Sequence, residues 1–176
     1  MKLRIILFIL LSGFILSACS SMDKYKDEPT DVLHLADING DDRPEIIRVK
    51  EKSGPEPKTI ITVLKKNKLQ MGSLSVPGKL EKIEFAELDL SPAKRISVIY
   101  TNKDGSQTLD IFSFKDDKFK KMFTIDSHCG IETDFSSILG RIKVGKFICN
   151  GDVCSCASVS DGEVWIWTGD KFLRER

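Results

Sequence analysis

The chain has 176 residues, and its 27 Lys and Arg against 26 Asp and Glu give a formal net charge of +1. A balance this close to neutral gives no reason to expect nucleic acid as a partner. The sequence also lacks the Gly-x-Ser-x-Gly nucleophile motif and a phosphate-binding glycine loop, which argues weakly against an enzyme.

The first nineteen residues have the layout of a secretory signal. Lys2 and Arg4 precede an apolar run over residues 5–15, and Leu16 and the small residues Ser17 and Ala18 then lead to Cys19. This ending resembles a bacterial lipobox, which implies cleavage before Cys19 and lipid on its sulfur. Ser20 in place of Asp resembles the sorting signal for the outer membrane of a Gram-negative cell. An ordinary signal peptide or a single anchor helix is the alternative.

Three parts follow from this layout. Residues 1–18 are the expected lipoprotein signal peptide, residues 19–31 a lipidated flexible tether, and residues 32–176 a single β-repeat domain. Removal of the signal takes away two basic residues and leaves 25 Lys and Arg against 26 Asp and Glu, a formal charge of −1. About 145 residues suffice for one domain with its own core.

An acidic loop, residues 37–45, reads DINGDDRPE and lies between two apolar runs that we expect to be strands. Calcium takes six to eight oxygen ligands, and a tight acidic turn supplies many of them. Carboxylates crowded into one turn also repel each other unless a cation is present. We therefore predict one calcium site here, and the alternative is a solvated acidic turn without an ion. The predicted ligands are the side chains of Asp37, Asn39, Asp41 and Glu45 and the backbone carbonyl of Arg43.

This loop resembles the calcium loop of FG-GAP/VCBS-type repeats, the blades of integrin-like β-propellers. The resemblance rests on Asp37-x-Asn39-Gly-Asp41-x-x-x-Glu45 and implies a loop between two neighbouring strands of a blade. The family usually has Gly at the sixth position, where this chain has Asp42. An EF-hand is excluded because its twelfth position requires Glu, and Arg48 stands there.

The chain repeats itself after the loop. In each copy an apolar strand is followed by a short polar turn ending in Lys and then a large apolar residue. Leu64, Phe114 and Trp167 are equivalent, with spacings of 50 and 53 residues. Such a period indicates blades or arrays. The copies are TIITVLKKNKL (59–69), LDIFSFKDDKF (109–119) and EVWIWTGDKF (163–172).

Another strand is expected before each copy. The first two are predicted at residues 46–49 and 96–100, and the third at 147–149 or 157–159. Turns are predicted at Ser53-Gly54-Pro55, Lys103-Asp104-Gly105 and Asp161-Gly162, because Gly and Asp-Gly between apolar runs favour hairpins.

We therefore predict an all-β fold of three four-stranded, antiparallel, blade-like repeats, approximately residues 32–80, 81–128 and 129–176. The repeats are expected to form an open arc, a propeller-like three-bladed unit, or part of a larger ring closed by a partner. A β-sandwich or barrel is the alternative fold. Asp89 begins the second copy of the loop, but Ser91 and Ala93 replace the later ligands, so that copy is expected to be empty.

The other four cysteines, Cys129, Cys149, Cys154 and Cys156, lie in the last third of the chain. An even set in an exported protein favours two disulfides, one from Cys129 to the later cluster and one within it. A metal or redox site from Cys154-x-Cys156, with His128, is the alternative.

The remaining candidates concern function. Trp165 and Trp167 share one face of a strand, which favours a core or blade-packing role over a ligand platform. We expect a non-enzymatic binding module, lipid-anchored in the bacterial cell envelope, with a protein partner there. The alternative is an enzyme or inhibitor that acts on envelope polymers.

Overall fold

Twelve β-strands make up the residues described by this computed structural model, which are residues 31–88, 91–135, 140–147 and 162–175. They are β1 (Val32–Ala36), β2 (Glu45–Lys52), β3 (Lys58–Leu64), β4 (Gln70–Pro77), β5 (Lys79–Ala86), β6 (Arg95–Thr101), β7 (Gln107–Lys115), β8 (Lys118–Ser127), β9 (Ile131–Phe135), β10 (Arg141–Lys146), β11 (Glu163–Trp167) and β12 (Phe172–Arg174).

The strands form three four-stranded sheets in which chain neighbours pair antiparallel. The first sheet has the order β1-β2-β3-β4, the second β5-β6-β7-β8, and the third β9-β10-β11-β12. The predicted all-β fold with three four-stranded antiparallel units is therefore confirmed. The described residues belong to one compact unit. Within the described part of the chain, no helix is long and apolar enough to cross a membrane.

The three similar segments occupy the same place in each sheet. They form β3, β7 and β11 together with the turns that lead into β4, β8 and β12. The turn at residues 53–55 joins β2 to β3, and the turn at 103–105 joins β6 to β7, as predicted.

In the second turn, the Ser106 N–H and Oγ–H both donate to Asp104 Oδ1, at 3.0 and 2.6 Å. The hydrogen bond from the Ser106 hydroxyl is the main cause that lowers the pKa of Asp104.

One predicted strand of the third repeat was wrong. The strand that precedes β11 in the sheet is β10, Arg141–Lys146, rather than residues 147–149 or 157–159. Ile142 and Val144 alternate with charged or small residues and are fully buried, which is what fixes the strand here. Phe147 extends it by one bond, from its N–H to the Gly130 carbonyl at 3.1 Å. Residues 148–161 lie outside the described residues.

The sheets stack face to face, with the second sheet between the other two. Its face with Ile96, Val98 and Phe112 belongs to one core cluster, shared with Ile47 and Val63 of the first sheet. Its opposite face contributes to a second cluster shared with the third sheet. That second cluster includes Leu109, Ile111 and Phe123 of the second sheet and Ile142, Val144 and Phe172 of the third. A sheet buried on both faces therefore holds the stack together.

Gly78 makes the connection from the first sheet to the second. It lies between Pro77, the last residue of β4, and Lys79, the first residue of β5, with φ of 97°. A Cβ added here would lie 2.2 Å from the Thr101 carbonyl oxygen, far inside van der Waals contact. The crossing therefore requires glycine for both its conformation and its space.

Gly78→Ala should lower the free energy of unfolding by about 2–4 kcal/mol, because the new methyl forces the backbone of Thr101 to move. Gly169→Ala is the matched control, since Gly169 has φ of 101° and nothing within 4 Å of an added Cβ. It should cost only the conformational strain, about 1–2 kcal/mol. Denaturant unfolding checks this, and equal losses in the two variants would contradict the steric explanation.

Candidate functional site: the acidic loop and the adjacent groove

The acidic loop connects the first two strands of the first sheet. Ala36 ends β1 and pairs with Glu45, the first residue of β2, so the two strands close the base of the loop. The predicted position of the loop between neighbouring strands is thus correct. All five predicted ligand residues lie in this connection or at its end.

Hydrogen bonds from the backbone organise the loop. Asp37 Oδ1 accepts from the Gly40 N–H at 2.6 Å, and its Oδ2 accepts from the Asp42 N–H at 2.8 Å. Asn39 Oδ1 accepts from the Asp41 N–H at 2.9 Å, and Asp41 Oδ1 from the Arg43 N–H at 3.0 Å. Three of the predicted ligands therefore turn oxygens toward the middle of the loop.

Glu45 is the buried member of the set, with 5% of its surface exposed. Its Oε2 accepts from the Ile38 N–H at 3.1 Å, and its Oε1 from Asn39 Nδ2 at 2.9 Å. Burial raises the pKa of Glu45 most, and the nearby charges of Asp41 and Asp37 raise it further, against the lowering effect of the Ile38 N–H. The charged form of Glu45 is therefore disfavoured in the metal-free loop.

The sixth loop position requires left-handed backbone. Asp42 has φ of 60°, so the residue that replaces the usual glycine of the FG-GAP/VCBS loop adopts the conformation that glycine adopts most easily. The turn is therefore kept at some conformational cost.

The loop is fixed against the second sheet. The Lys94 N–H donates to the Asp37 carbonyl at 2.8 Å. A Cβ added at Gly40 would lie 3.2 Å from the Ala93 Cβ, so the two loops also pack closely. Ala93 and Lys94 belong to the equivalent connection before β6, where the degenerate copy of the loop was predicted. Asp89 of that copy lies outside the described residues.

The donor set fits calcium in chemistry, since it consists of three carboxylates, one amide oxygen and a backbone carbonyl. Among the described residues, however, no three His, Cys, Asp or Glu side chains are already gathered as a metal site. The carboxylates are engaged with backbone N–H groups instead. A carboxylate oxygen that accepts one hydrogen bond keeps a further lone pair, so these bonds are compatible with metal ligation. Calcium binding stays a prediction.

A cavity of about 960 Å³ opens beside the loop. It is lined by the predicted ligand residues Asn39, Asp41, Arg43 and Glu45 and by the turn between β3 and β4, residues 65–67. The ligand side of the loop therefore has access to solvent and ions.

A second depression, the inter-repeat groove, has a volume of about 740 Å³ and receives residues from all three sheets or their connections. Asn39 of the acidic loop stands at its edge. Basic residues outnumber acidic ones, four to two, on this lining. The lining consists of Asn39, Ser91, Ala93, Arg95, Ser113, Phe114, Lys115, Asp116, Lys118, Lys120, Met122, Trp167, Gly169 and Asp170.

The two tryptophans pack against the core between the second and third sheets, as predicted. The Trp165 ring lies 5.0 Å from the Phe123 ring, and the Trp167 ring 5.1 Å from the Phe172 ring, measured between centroids. Their indole Nε1 atoms are buried without a hydrogen-bond partner in the described structure. Trp167 also lines the inter-repeat groove.

Sequence reasoning missed a buried polar cluster in the second sheet. Asp110 is 1% exposed, and its Oδ2 accepts from Tyr100 Oη at 3.1 Å and from Lys121 Nζ at 2.7 Å. Burial, followed by the Asp110 charge, raises the pKa of Tyr100 to about 12. Neither cavity described above is lined by these residues. The only signal in the sequence was an Asp within the apolar run LDIF.

The remaining predicted residues are largely outside the described structure. Cys19, Cys149, Cys154 and Cys156 all lie there. Cys129 is described and follows β8. The pairing of the cysteines stays a prediction, as does the metal or redox alternative with His128.

The chain matches no protein-family model, no curated protein and no solved structure.

The raised pKa of Glu45 predicts a pH dependence of stability in the metal-free protein. The folded state retains this proton more strongly than the unfolded state, whose pKa is near the ordinary value of 4.5. The stability of wild type relative to Glu45→Gln should therefore fall as the pH rises through 4.5 and then through the raised folded-state pKa. Unfolding in a chelator across this range measures the difference. A difference that stays constant or grows with pH would contradict the assignment.

Proposed function

We propose that this protein is a non-enzymatic, lipid-anchored binding module of the bacterial cell envelope. The observation that carries this proposal is the inter-repeat groove, where all three repeats contribute residues beside the acidic loop. Side chains that lie far apart in sequence converge there, as in binding sites formed between structural units.

The partner we propose for the groove is an acidic segment of another envelope protein. The lining of the groove includes the basic residues Arg95, Lys115, Lys118 and Lys120 and the acidic residues Asp116 and Asp170. Met122 and Trp167 add apolar surface of the kind found at the centre of protein interfaces. Complementary charge would then orient the partner and speed its association.

The acidic loop supports the groove in this proposal. One calcium ion held by Asp37, Asn39, Asp41, Glu45 and the Arg43 carbonyl would offset the repulsion that raises the pKa of Glu45. The loop is bonded to the connection before β6 through the Lys94 N–H and the Asp37 carbonyl. A bound ion would therefore stiffen one edge of the groove.

The anchor in this proposal is a lipid on Cys19, with residues 19–31 as the tether and the outer membrane as the location if the cell is Gram-negative. More than one acyl chain is needed for stable attachment, as the lipobox resemblance implies.

The groove proposal is tested by charge reversal. The double change Lys118→Glu and Lys120→Glu should abolish capture of an acidic partner when the tagged protein is crosslinked in membranes and purified. Lys50→Glu with Lys52→Glu is the matched control, since these lysines lie in β2 of the first sheet and line neither the groove nor the cavity beside the acidic loop. The same partners captured by the groove variant and by wild type would contradict the proposal.

The calcium proposal predicts a thermal shift. Calcium at a hundred times its dissociation constant should stabilise wild type by about 2.7 kcal/mol, because only the folded chain presents the site. Asp41→Ala should abolish this gain, whereas Asp117→Asn, which removes an exposed carboxylate outside the loop, should retain it. Calorimetric titration gives the binding heat directly. No heat with wild type, or an equal gain in Asp41→Ala, would show that the loop is only a polar turn.

The anchor predicts the behaviour of Cys19→Ser. Without the thiol that accepts lipid, this variant should leave the membrane fraction or retain its signal peptide, as fractionation and intact mass would show. Ser20→Asp is the control, since it leaves the thiol in place and should keep the lipid mass. Membrane retention of Cys19→Ser at the mass of wild type would refute lipidation.

A further inference from the structure

The hairpin of β7 and β8 carries three lysines on the face that packs against the third sheet. Ile111 of β7 belongs to the core shared with the third sheet, so Ser113 and Lys115, at alternate positions, continue the same face beyond that core. Across the hairpin, Lys120 lies opposite Ser113. Lys118 lies opposite Lys115. The three lysines therefore share this face, and all of them line the inter-repeat groove.

The positive charge of these lysines is not compensated by ion pairs. All three side chains are exposed, and within the described part of the chain none of the three forms a salt bridge. Like charges directly opposite each other on paired strands, as at Lys115 and Lys118, destabilise a sheet. The hairpin therefore presents positive charge that favours an anionic ligand and does not stabilise the hairpin itself.

The third sheet contributes Trp167, the last residue of β11, to the lining of the groove. Its backbone N–H donates to the Gly140 carbonyl at 2.7 Å, and its ring packs on the Phe172 ring with the centroids 5.1 Å apart. These contacts fix the indole, yet its Nε1–H is buried without a hydrogen-bond partner in the described structure. A buried donor without an acceptor is costly, and a ligand that supplies an acceptor would remove this cost. Trp165 has the same unpartnered Nε1 but does not line the groove.

We propose that Trp167 determines the specificity of the groove, by donating its indole N–H to a carboxylate oxygen of a ligand that the three lysines attract. This inference rests on the proposed function of the groove and names the group recognised there, the carboxylate of an Asp or Glu side chain. An ionised carboxylate only accepts hydrogen bonds and an indole N–H only donates them, so the two match. Because Nε1 is buried in the free protein, a lining side chain turns aside on binding, as side chains at interfaces commonly do.

The first test observes the indole directly, in the full-length protein in detergent, with a ten-residue all-Glu peptide as the probe and an all-Gln peptide as its control. The chain has two tryptophans, so a ¹⁵N spectrum shows two indole N–H signals, which Trp167→Phe and Trp165→Phe assign. The Glu peptide should move the Trp167 signal downfield, as a new hydrogen bond does, and leave the Trp165 signal in place. The Gln peptide should move neither signal, because the lysines do not attract it.

Affinity for the Glu peptide separates the indole from the lysines. Trp167→Phe keeps an aromatic ring but removes the N–H, and should weaken binding about tenfold at both low and high salt, because a hydrogen bond at contact distance is little screened. Trp165→Phe is the matched control and should bind as wild type does. Lys118→Glu with Lys120→Glu should lose most of the binding at low salt, where charge attraction is strongest. Cooperative unfolding of both tryptophan variants checks that they are folded.

The possible failures are distinguishable. If wild type does not bind the Glu peptide, this inference falls together with the proposed function of the groove. If the lysine reversal abolishes binding while the Trp167 signal stays in place and Trp167→Phe binds as wild type does, the groove proposal stands and this inference alone is overturned. Equal losses of affinity in Trp167→Phe and Trp165→Phe would show a general effect on the fold and would also overturn it.

Discussion

Burial of both faces of the second sheet is the constraint on which the rest of the structure depends. Each face must find an apolar partner, and the first and third sheets supply one each. A fully buried Ile or Val stabilises a fold by about 1.5–3 kcal/mol relative to exposure, so the two clusters dominate the stability of the stack. Residues of all three sheets or their connections line the inter-repeat groove beside this stack.

Tyr100 and Asp110, a phenol and a carboxylate of the second sheet, are hydrogen-bonded to each other in this core. Tyr100 keeps its proton because its pKa is raised to about 12, so the hydroxyl remains a donor to the Asp110 carboxylate. Lys121 closes the cluster from the edge strand β8, with its side chain half-exposed. The buried carboxylate of Asp110 is therefore paired with the ammonium group of Lys121. Removal of Lys121 would leave the charge of Asp110 buried and uncompensated.

The acidic loop differs from this cluster in its electrostatics. Glu45 is buried beside two other carboxylates and is held by N–H donors, so burial and like charge both act against its ionisation. The strand pair Ala36 and Glu45 and the bond from Lys94 to Asp37 nevertheless hold the loop in place. Backbone hydrogen bonds thus hold the carboxylates of the loop in place. In the function we propose, a cation compensates their negative charge.

The sequence by itself determined the strands, the three repeats and the position of the acidic loop. Alternating apolar residues and hairpin turns are local signals, and each sheet pairs only chain neighbours, so a pattern within about 50 residues contains the needed information. It also placed Trp165 and Trp167 on one packing face. The prediction from sequence missed β10, a short strand of alternating charged and apolar residues, and placed the strand in the segment that follows it.

Only the tertiary structure decided which faces meet and what lies between them. The contact from Thr133 to Glu84, 49 residues apart, and that from Lys94 to Asp37 join different sheets, and no local pattern specifies such pairs. The burial of Glu45, the buried Asp110 and the groove all follow from stacking. Stacking depends on the shape of whole sheets and on which of their faces are apolar. Whole sheets exist only once distant segments have been brought together.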